Sequence, residues 1–288
     1  MPERNPMSQC PGIHSDSAGQ APACASCPNS TYCQQKTDNT HIHKSQIARN
    51  VDGKKILAVM SGKGGVGKST VCMMIANALK SCCVLDFDVS GPSIAKMSGT
   101  EDEIITNVRD KFVPVRVKGT DMGVVSAYHA NDGNCLEYLD DSSFVNEFLL
   151  DVLRNCDFTA YTYIVIDTPP GITDEHLFIS NYLKMSCVLV TTPSVLSMND
   201  LARQIDFCEK ARIGVLGVIE NMKEFVCECG CRVPMGTLSV ETECMARNIR
   251  YLGGMECTKM VGMHADSGLI YDGLFTDIAQ NIRAELGE

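Results

Sequence analysis

The stretch GKGGVGKS, Gly62–Ser69, constrains this chain more than any other eight residues. It fits the phosphate-binding pattern G-x-x-x-x-G-K-[ST] and stands between the apolar run ILAVM (Ile56–Met60) and the helically spaced run VCMMIANALK, the strand-to-helix setting the pattern needs. Its residues Gly62, Lys63, Gly64, Gly65, Val66 and Gly67 let backbone N–H groups turn inward on phosphates at the positive end of the following helix. Lys68 is placed to hold the outer phosphates, and Ser69, followed by Thr70, to ligate Mg²⁺.

Four further apolar runs follow: SCCVLDFD, YIVIDTPP, CVLVTTPS and GVLGVIEN, each ending in polar residues or proline. Helical patterns such as LARQIDFCEKAR separate several of them. Alternating helices and wholly apolar strands predict an α/β fold, a mostly parallel sheet with helices on both faces. Ligands bind such sheets beyond the strand C-termini. Those ends carry Asp86 and Asp88, Asp167, and Asn221, and carboxylates near phosphates suit a hard cation such as Mg²⁺. Residues 97–150 are the least legible, with two or three short strands and a helix near Phe144–Leu153 expected. The last segment spaces Leu274, Ile278, Ile282 and Leu286 by four, one apolar stripe expected to pack on the domain.

Residues 1–50 differ in kind. They are rich in Ser, Pro, Gly, Asn and Gln and contain no Leu or Val before Val51, so they read as a flexible segment ahead of a 51–288 domain. Yet Cys10, Cys24, Cys27 and Cys33 are crowded there in the spacing C-x13-C-x2-C-x5-C. Thiolates in a polar segment are what a metal can organise, because ligation supplies ordering energy that a core would otherwise provide. Four thiolates suit a [4Fe–4S] cluster and equally suit tetrahedral zinc, with His14 an alternative zinc ligand. Three more, Cys227, Cys229 and Cys231 in FVCECGCRVP, follow the last strand that the pattern reveals. Cys72, Cys82, Cys83 and Cys187 fall in apolar runs, where cysteine acts as a small hydrophobe. Cys135, Cys156, Cys208, Cys244 and Cys257 receive no role.

The second lysine of the loop, Lys63, resembles the deviant Walker A motif of the MinD, ParA and nitrogenase iron-protein class of SIMIBI P-loop NTPases. The resemblance implies that Lys63 reaches the nucleotide of a partner subunit, that Asp167 is the Walker B aspartate, that Asp86 or Asp88 orients the attacking water, and that Asn221 reads adenine. The ordered blocks SGKGGVGKST, LDFDVSGPS, IDTPPG, DEHL, VTTP and ENM resemble the Mrp-type ATPases from about Lys54 to the C-terminus, and within them the cytosolic iron–sulfur scaffolds. That subgroup carries the N-terminal cysteine motif, which implies an iron–sulfur cluster there. It also implies a second [4Fe–4S] cluster bridging two chains through a C-x2-C pair. Here the pattern is C-x-C-x-C, with Gly230 at the expected second ligand. Cys227 aligns with the first ligand, and Cys229 or Cys231 is its partner; positions i and i+2 share a face, which favours Cys229 although Cys231 is on that face too. The W-R-G-P block usual before the Walker B strand is absent, as is any tryptophan.

The implied activity is ATP-dependent assembly and transfer of [4Fe–4S] clusters to cytosolic and nuclear apoproteins, by a slow Mg-ATPase. A homodimer, or a heterodimer or heterotetramer with a related ATPase, is expected, with apo iron–sulfur proteins and targeting factors as partners. Two rivals are an ATP-gated iron–sulfur reductase and a MinD- or ParA-like positioning ATPase; the second would need a basic terminal helix, and the tail sets Arg283 against Asp277 and Glu285. The net charge is −10 with no basic block, which argues against nucleic acid. No apolar run reaches the roughly 18 residues of a membrane span, and the opening MPERNPMSQC has no apolar leader core, so a cytoplasmic, reducing setting is expected.

Overall fold

A computed structural model describes residues 17, 20–25, 30–130, 142–227, 229–271 and 276–287. The chain divides into two units, Met1–Arg49 and Asn50–Glu288. In the first, a short 3-10 turn at Pro22–Cys24 precedes helix α1, Ser30–Asn50, whose last residue enters the second unit. Residues 30–50 of this segment are thus helical. The prolines and glycines of this segment all precede Ser30, and the 21 residues of α1 contain no helix breaker.

The second unit contains, in chain order, β1 (Lys55–Met60), α2 (Lys68–Leu79), β2 (Cys82–Asp86), α3 (Ile94–Met97), β3 (Thr106–Val108), β4 (Lys111–Val113), β5 (Val115–Arg116) and β6 (Gly123–Ser126). There follow α4 (Ser142–Asn155), β7 (Tyr163–Asp167), α5 (Asp174–Tyr182), β8 (Ser186–Thr191), α6 (Val195–Ala211) and β9 (Gly214–Glu220). The last elements are β10 (Glu224–Val226), β11 (Arg232–Pro234), α7 (Val240–Ala246), β12 (Tyr251–Gly254), α8 (Lys259–Asp266) and α9 (Thr276–Glu285).

The main sheet has the order β12-β9-β8-β1-β7-β2-β6-β5, and every pair in it is parallel except β5 with β6. Strands β1, β2, β7 and β8 are buried along nearly their whole length, as their unbroken apolar runs predict. The register sets Val59 beside Asp167, and Asp167 beside Asp86, so the polar strand ends line up along one edge. Helix α2 buries Val71, Cys72, Ile75 and Leu79 in the same core that receives Ile278, Ala279 and Ile282 of α9. Of the terminal stripe, Ile278, Ile282 and Leu286 thus pack on the domain as expected, and Leu274 lies outside the described residues. No helix among the described residues is long and apolar enough to cross a membrane.

Among its described residues the poorly legible 97–150 region contains four short strands, two of them the separate antiparallel pair β3–β4. The three-cysteine segment does not follow the last strand: it joins β10 to β11, and β12 comes later to pair in parallel with β9.

Candidate functional site

Strand β1 ends at Met60 and the phosphate-binding loop begins two residues on. Gly65 and Gly67 have φ of 79° and 80°, the left-handed region that glycine enters without strain. Gly67 caps α2, so the loop's amides and the helix N-terminus share one concavity. Gly62 is required for a different reason. A Cβ there would lie 2.6 Å from Asp200 Cβ and 2.7 Å from its carbonyl carbon, so the loop rests directly on α6. Gly64 and Lys63 are exposed, and Ser61 Oγ donates to the Lys63 carbonyl at 3.1 Å. Beside the loop runs a cleft of about 200 Å³ whose lining includes Lys63, Gly65, Val66, Thr192, Met222 and Met235.

Lys68 is buried at the start of α2, with its Nζ 2.6 Å from Asp167 Oδ1 and 3.9 Å from Asp88 Oδ2. Ser69 Oγ donates to Asp167 Oδ2 at 2.6 Å, while Thr70 is half-buried one residue on. Asp86 is fully buried and structurally engaged: its Oδ2 accepts from Ile94 N at 3.2 Å and Ser126 Oγ at 3.0 Å, tying β2 to α3 and β6. Its Oδ1 lacks a partner. Burial, and secondly the nearby Asp167, push the Asp86 carboxyl up to about 8. Burial also raises Asp167 and Asp88, partly opposed in both by Lys68. Two carboxylates, Asp88 and Asp167, thus share one ammonium in a mostly buried site, beside an Asp86 that burial holds largely protonated at neutral pH. An excess of negative charge that burial makes unfavourable is what a divalent cation relieves, and the oxygen donors of Ser69 and Asp167 fit Mg²⁺.

Asn221, one residue beyond β9, closes the loop from the other side. Its Nδ2 donates to the Val66 carbonyl at 2.8 Å, its Oδ1 accepts from Met222 N at 2.9 Å, and a Cβ on Gly67 would overlap its amide nitrogen. The loop glycines, Lys68, Ser69, Asp86, Asp88, Asp167 and Asn221 therefore gather at one sheet edge, as their positions at strand ends predict.

The cysteines form a separate centre. Strands β10 and β11 pair as a short antiparallel hairpin whose connection carries Cys227, Cys229 and Cys231. Cys227 N donates to the Cys231 carbonyl at 3.0 Å and Gly230 N to the Cys227 carbonyl at 2.9 Å, with Gly230 at φ 83°. The three Sγ atoms lie within 4.8 Å of one another, and Cys227 and Cys229 are disulfide-bonded. Of the N-terminal set, Cys24 is buried in the Pro22–Cys24 turn and Cys33 lies in α1. Cys10 and Cys27, like His14, lie outside the described residues.

A family model described as the NUBPL iron-transfer P-loop NTPase, of ParA type, matches residues 52–283. The chain belongs to this family. Among curated relatives of this chain is a cytosolic Fe-S cluster assembly factor NUBP1 homolog of Brugia malayi, 32% identical over 93% of this chain and 91% of that protein. Among solved structures, the nucleotide-binding protein of Archaeoglobus fulgidus in complex with ADP matches with a TM-score of 0.68 and 26% identity, over 79% of this chain and 92% of that one. The cell division ATPase MinD of Pyrococcus furiosus matches at TM-score 0.62 and 18% identity, over 80% and 98%, and supports the fold alone. The mostly parallel deviant Walker A fold read from the sequence is thereby established.

The site also has neighbours that the sequence alone does not single out. His176, in the first turn of α5, is fully buried. Its Nδ1 accepts from Thr173 N at 3.2 Å, which leaves the ring proton on Nε2, 3.1 Å from Thr168 Oγ1; that hydroxyl then donates to the Val59 carbonyl at 3.0 Å. The relay joins α5 to the ends of β7 and β1 beside the nucleotide site. Burial, and secondly the Lys68 charge, hold His176 down to about 4. Gln204 of α6 donates to the Gly171 carbonyl at 3.2 Å, bracing the loop after β7. The only sequence signal for His176 was its place in the DEHL block.

Proposed function

We propose that this chain is a Mg-ATP-dependent scaffold that assembles [4Fe–4S] clusters and passes them to cytosolic and nuclear apoproteins. One observation carries the reading: a complete phosphate-binding site and a turn of three thiols occupy the same unit, linked through Asn221, which holds the loop and stands six residues before Cys227. The cytosolic assembly role of the Brugia malayi relative supports the substrate class and a cytoplasmic location.

In this reading Lys68 and the loop amides bind the phosphates, and Ser69 and Asp167 hold Mg²⁺, which when bound neutralises phosphate charge. Asp88, partly exposed and near Lys68, is better placed than the engaged Asp86 to orient an attacking water. Asn221 keeps one Nδ2 hydrogen for adenine, and Lys63 extends to the nucleotide of a second subunit. That subunit is another copy or a related P-loop ATPase, in a dimer or heterotetramer. The cluster is cargo, held between chains by Cys227 with Cys229 or Cys231, and nucleotide-dependent movement of the switch segments around Asp88 and α5 alters its retention. A second cluster is held by Cys10, Cys24, Cys27 and Cys33 of the 1–50 segment, apart from the 51–288 ATPase domain.

The test is anaerobic reconstitution followed by transfer to an apo-aconitase-like acceptor with and without Mg-ATP, in the native chain and Lys68→Ala. Transfer that needs ATP and fails in Lys68→Ala is expected. Nucleotide-independent transfer, or reduction of the acceptor's existing cluster without transfer of iron, would overturn the scaffold reading.

A further inference from the structure

The loop between β7 and α5, residues 168–173 with the sequence TPPGIT, starts directly after Asp167 and is held at both ends and in the middle. One side chain holds both ends. His176 Nδ1 accepts from Thr173 N at 3.2 Å and Nε2 donates to Thr168 Oγ1 at 3.1 Å, so the two nitrogens of a single rigid ring fix the first and last residues of the loop. The middle is tied to the phosphate-binding loop. Gly171 N donates to the Ser61 carbonyl at 2.8 Å, and the Gly171 carbonyl accepts from Gln204 Nε2 at 3.2 Å.

A buried histidine with both nitrogens satisfied is ordinarily a packing element. What sets His176 apart is where its partners stand. Thr168 Oγ1 passes the bond on to the Val59 carbonyl of β1 at 3.0 Å, and Val59 is the register partner of Asp167. The ring is fully buried and meets Phe207 of α6 edge-on, with centroids 6.0 Å apart, so the packing around it fixes its orientation. On the loop between those two anchors, Pro170 and Ile172 are exposed, and Pro170 lies 3.9 Å from where a Cβ on Gly64 would stand. The segment that His176 spans therefore adjoins Asp167 at its start and faces the phosphate-binding loop at its crest.

We infer that His176 is a positioning residue for ATP turnover, acting through Thr168 and Thr173 to hold the 168–173 loop against the phosphate-binding loop. This rests on reading the chain as a Mg-ATPase but not on cluster transfer. In the step concerned, a water oxygen bonds to the terminal phosphorus, the bond from that phosphorus to the ADP oxygen breaks, and ADP, inorganic phosphate and one proton leave to solvent. Placement and charge carry such a step, so a displaced loop slows it while nucleotide stays bound. Binding is built elsewhere. The loop amides and Lys68 belong to the connection from β1 to α2, which Asp200 supports beneath Gly62 and Asn221 holds at the Val66 carbonyl. Loss of the ring's bonds therefore separates turnover from affinity.

The full-length chain is assayed for phosphate release across a range of Mg-ATP concentrations, and nucleotide affinity is measured separately by equilibrium dialysis of the β,γ-imido analogue of ATP. Thr168→Val keeps the shape of the side chain and removes its hydroxyl, whereas Thr168→Ser keeps the hydroxyl. The expected result is a kcat lower by about tenfold or more in Thr168→Val and in His176→Gln, with affinity in both within about twofold of the native chain, and a kcat in Thr168→Ser within about twofold of native. Equal kcat in the native chain and Thr168→Val would overturn the inference. So would an equal loss in Thr168→Ser, or an affinity that falls in step with turnover. Each of these leaves the Mg-ATPase reading standing, whereas no phosphate release from the native chain removes that reading and the inference together. Circular dichroism confirms that each variant is folded, and the two Thr168 variants decide the matter if His176→Gln is not.

Discussion

Acidification should weaken this fold through His176 in a way that one substitution isolates. The ring is buried and held neutral, with its pKa lowered from the ordinary 6.5 to about 4. Between those values the unfolded chain binds a proton that the folded chain refuses, so the stabilisation is intact above pH 6.5 and is lost as pH falls towards 4. A difference of about 2.5 units, at about 1.36 kcal/mol each, corresponds to about 3.4 kcal/mol over the whole window. His176→Gln removes this titration but also the contacts to Thr173 and Thr168, a loss of about 2 kcal/mol for two hydrogen bonds in a buried setting. The native chain should therefore be about 2 kcal/mol the more stable at pH 7, the two should be equal at about pH 5, and the variant should lead below that. Urea unfolding of nucleotide-free protein, followed by far-ultraviolet circular dichroism because the chain lacks tryptophan, measures the difference at each pH. Nuclear magnetic resonance of the ring carbon proton reads the pKa directly. A stability difference that stays constant from pH 7 to 4.5, or a His176 that titrates near 6.5, would refute the neutral-relay account.

Three further outcomes are expected. Lys68→Ala removes the phosphate-binding ammonium and leaves Asp167 buried without its ion pair, so ATP affinity in equilibrium dialysis should fall at least tenfold; unchanged affinity would sink the assignment of the loop. Gly67→Ala places a methyl on the Asn221 amide at a φ of 80°, and should lower stability by about 1–3 kcal/mol together with nucleotide binding, whereas Gly65→Ala, with open space around it, should lose only the conformational part. Gly268→Ala would put its Cβ 2.6 Å from Gly99 Cα, backbone that cannot swing away, so thermal unfolding should drop measurably, while Gly262→Ala, inside α8 with open space around it, should raise it slightly.

The nucleotide site was legible because its residues lie at or just beyond the ends of mostly apolar strands, or in the loop and helix start that follow β1, and a parallel sheet gathers such ends on one side. The elements that escaped notice are those made by pairing and not by local pattern. Strand β12 reads YLGG, which looks like a turn; it is a strand because Gly217 and Gly253 allow close approach, a Cβ on Gly217 falling 2.7 Å from Leu252 Cγ. The hairpin of β10 and β11 is only three residues on each side, too short for an alternating signal. Helix α1 was hidden by averaging composition across the Ser30 boundary. His176 stands in a quoted block, yet a single histidine carries no spacing, and its partner Thr168 is eight residues away in sequence.

Asn221 and Cys227 stand only six residues apart. At full extension that length spans about 20 Å, and it has almost no slack. Lys223 N is pinned to the Met255 carbonyl, Met235 N to the Lys223 carbonyl, and Val226 N to the Cys257 carbonyl. A tether so short and so anchored transmits displacement instead of absorbing it. The alkylation rate of the free, exposed Cys231 thiol is then expected to differ between the nucleotide-free and nucleotide-bound chain, a measurement that needs no cluster.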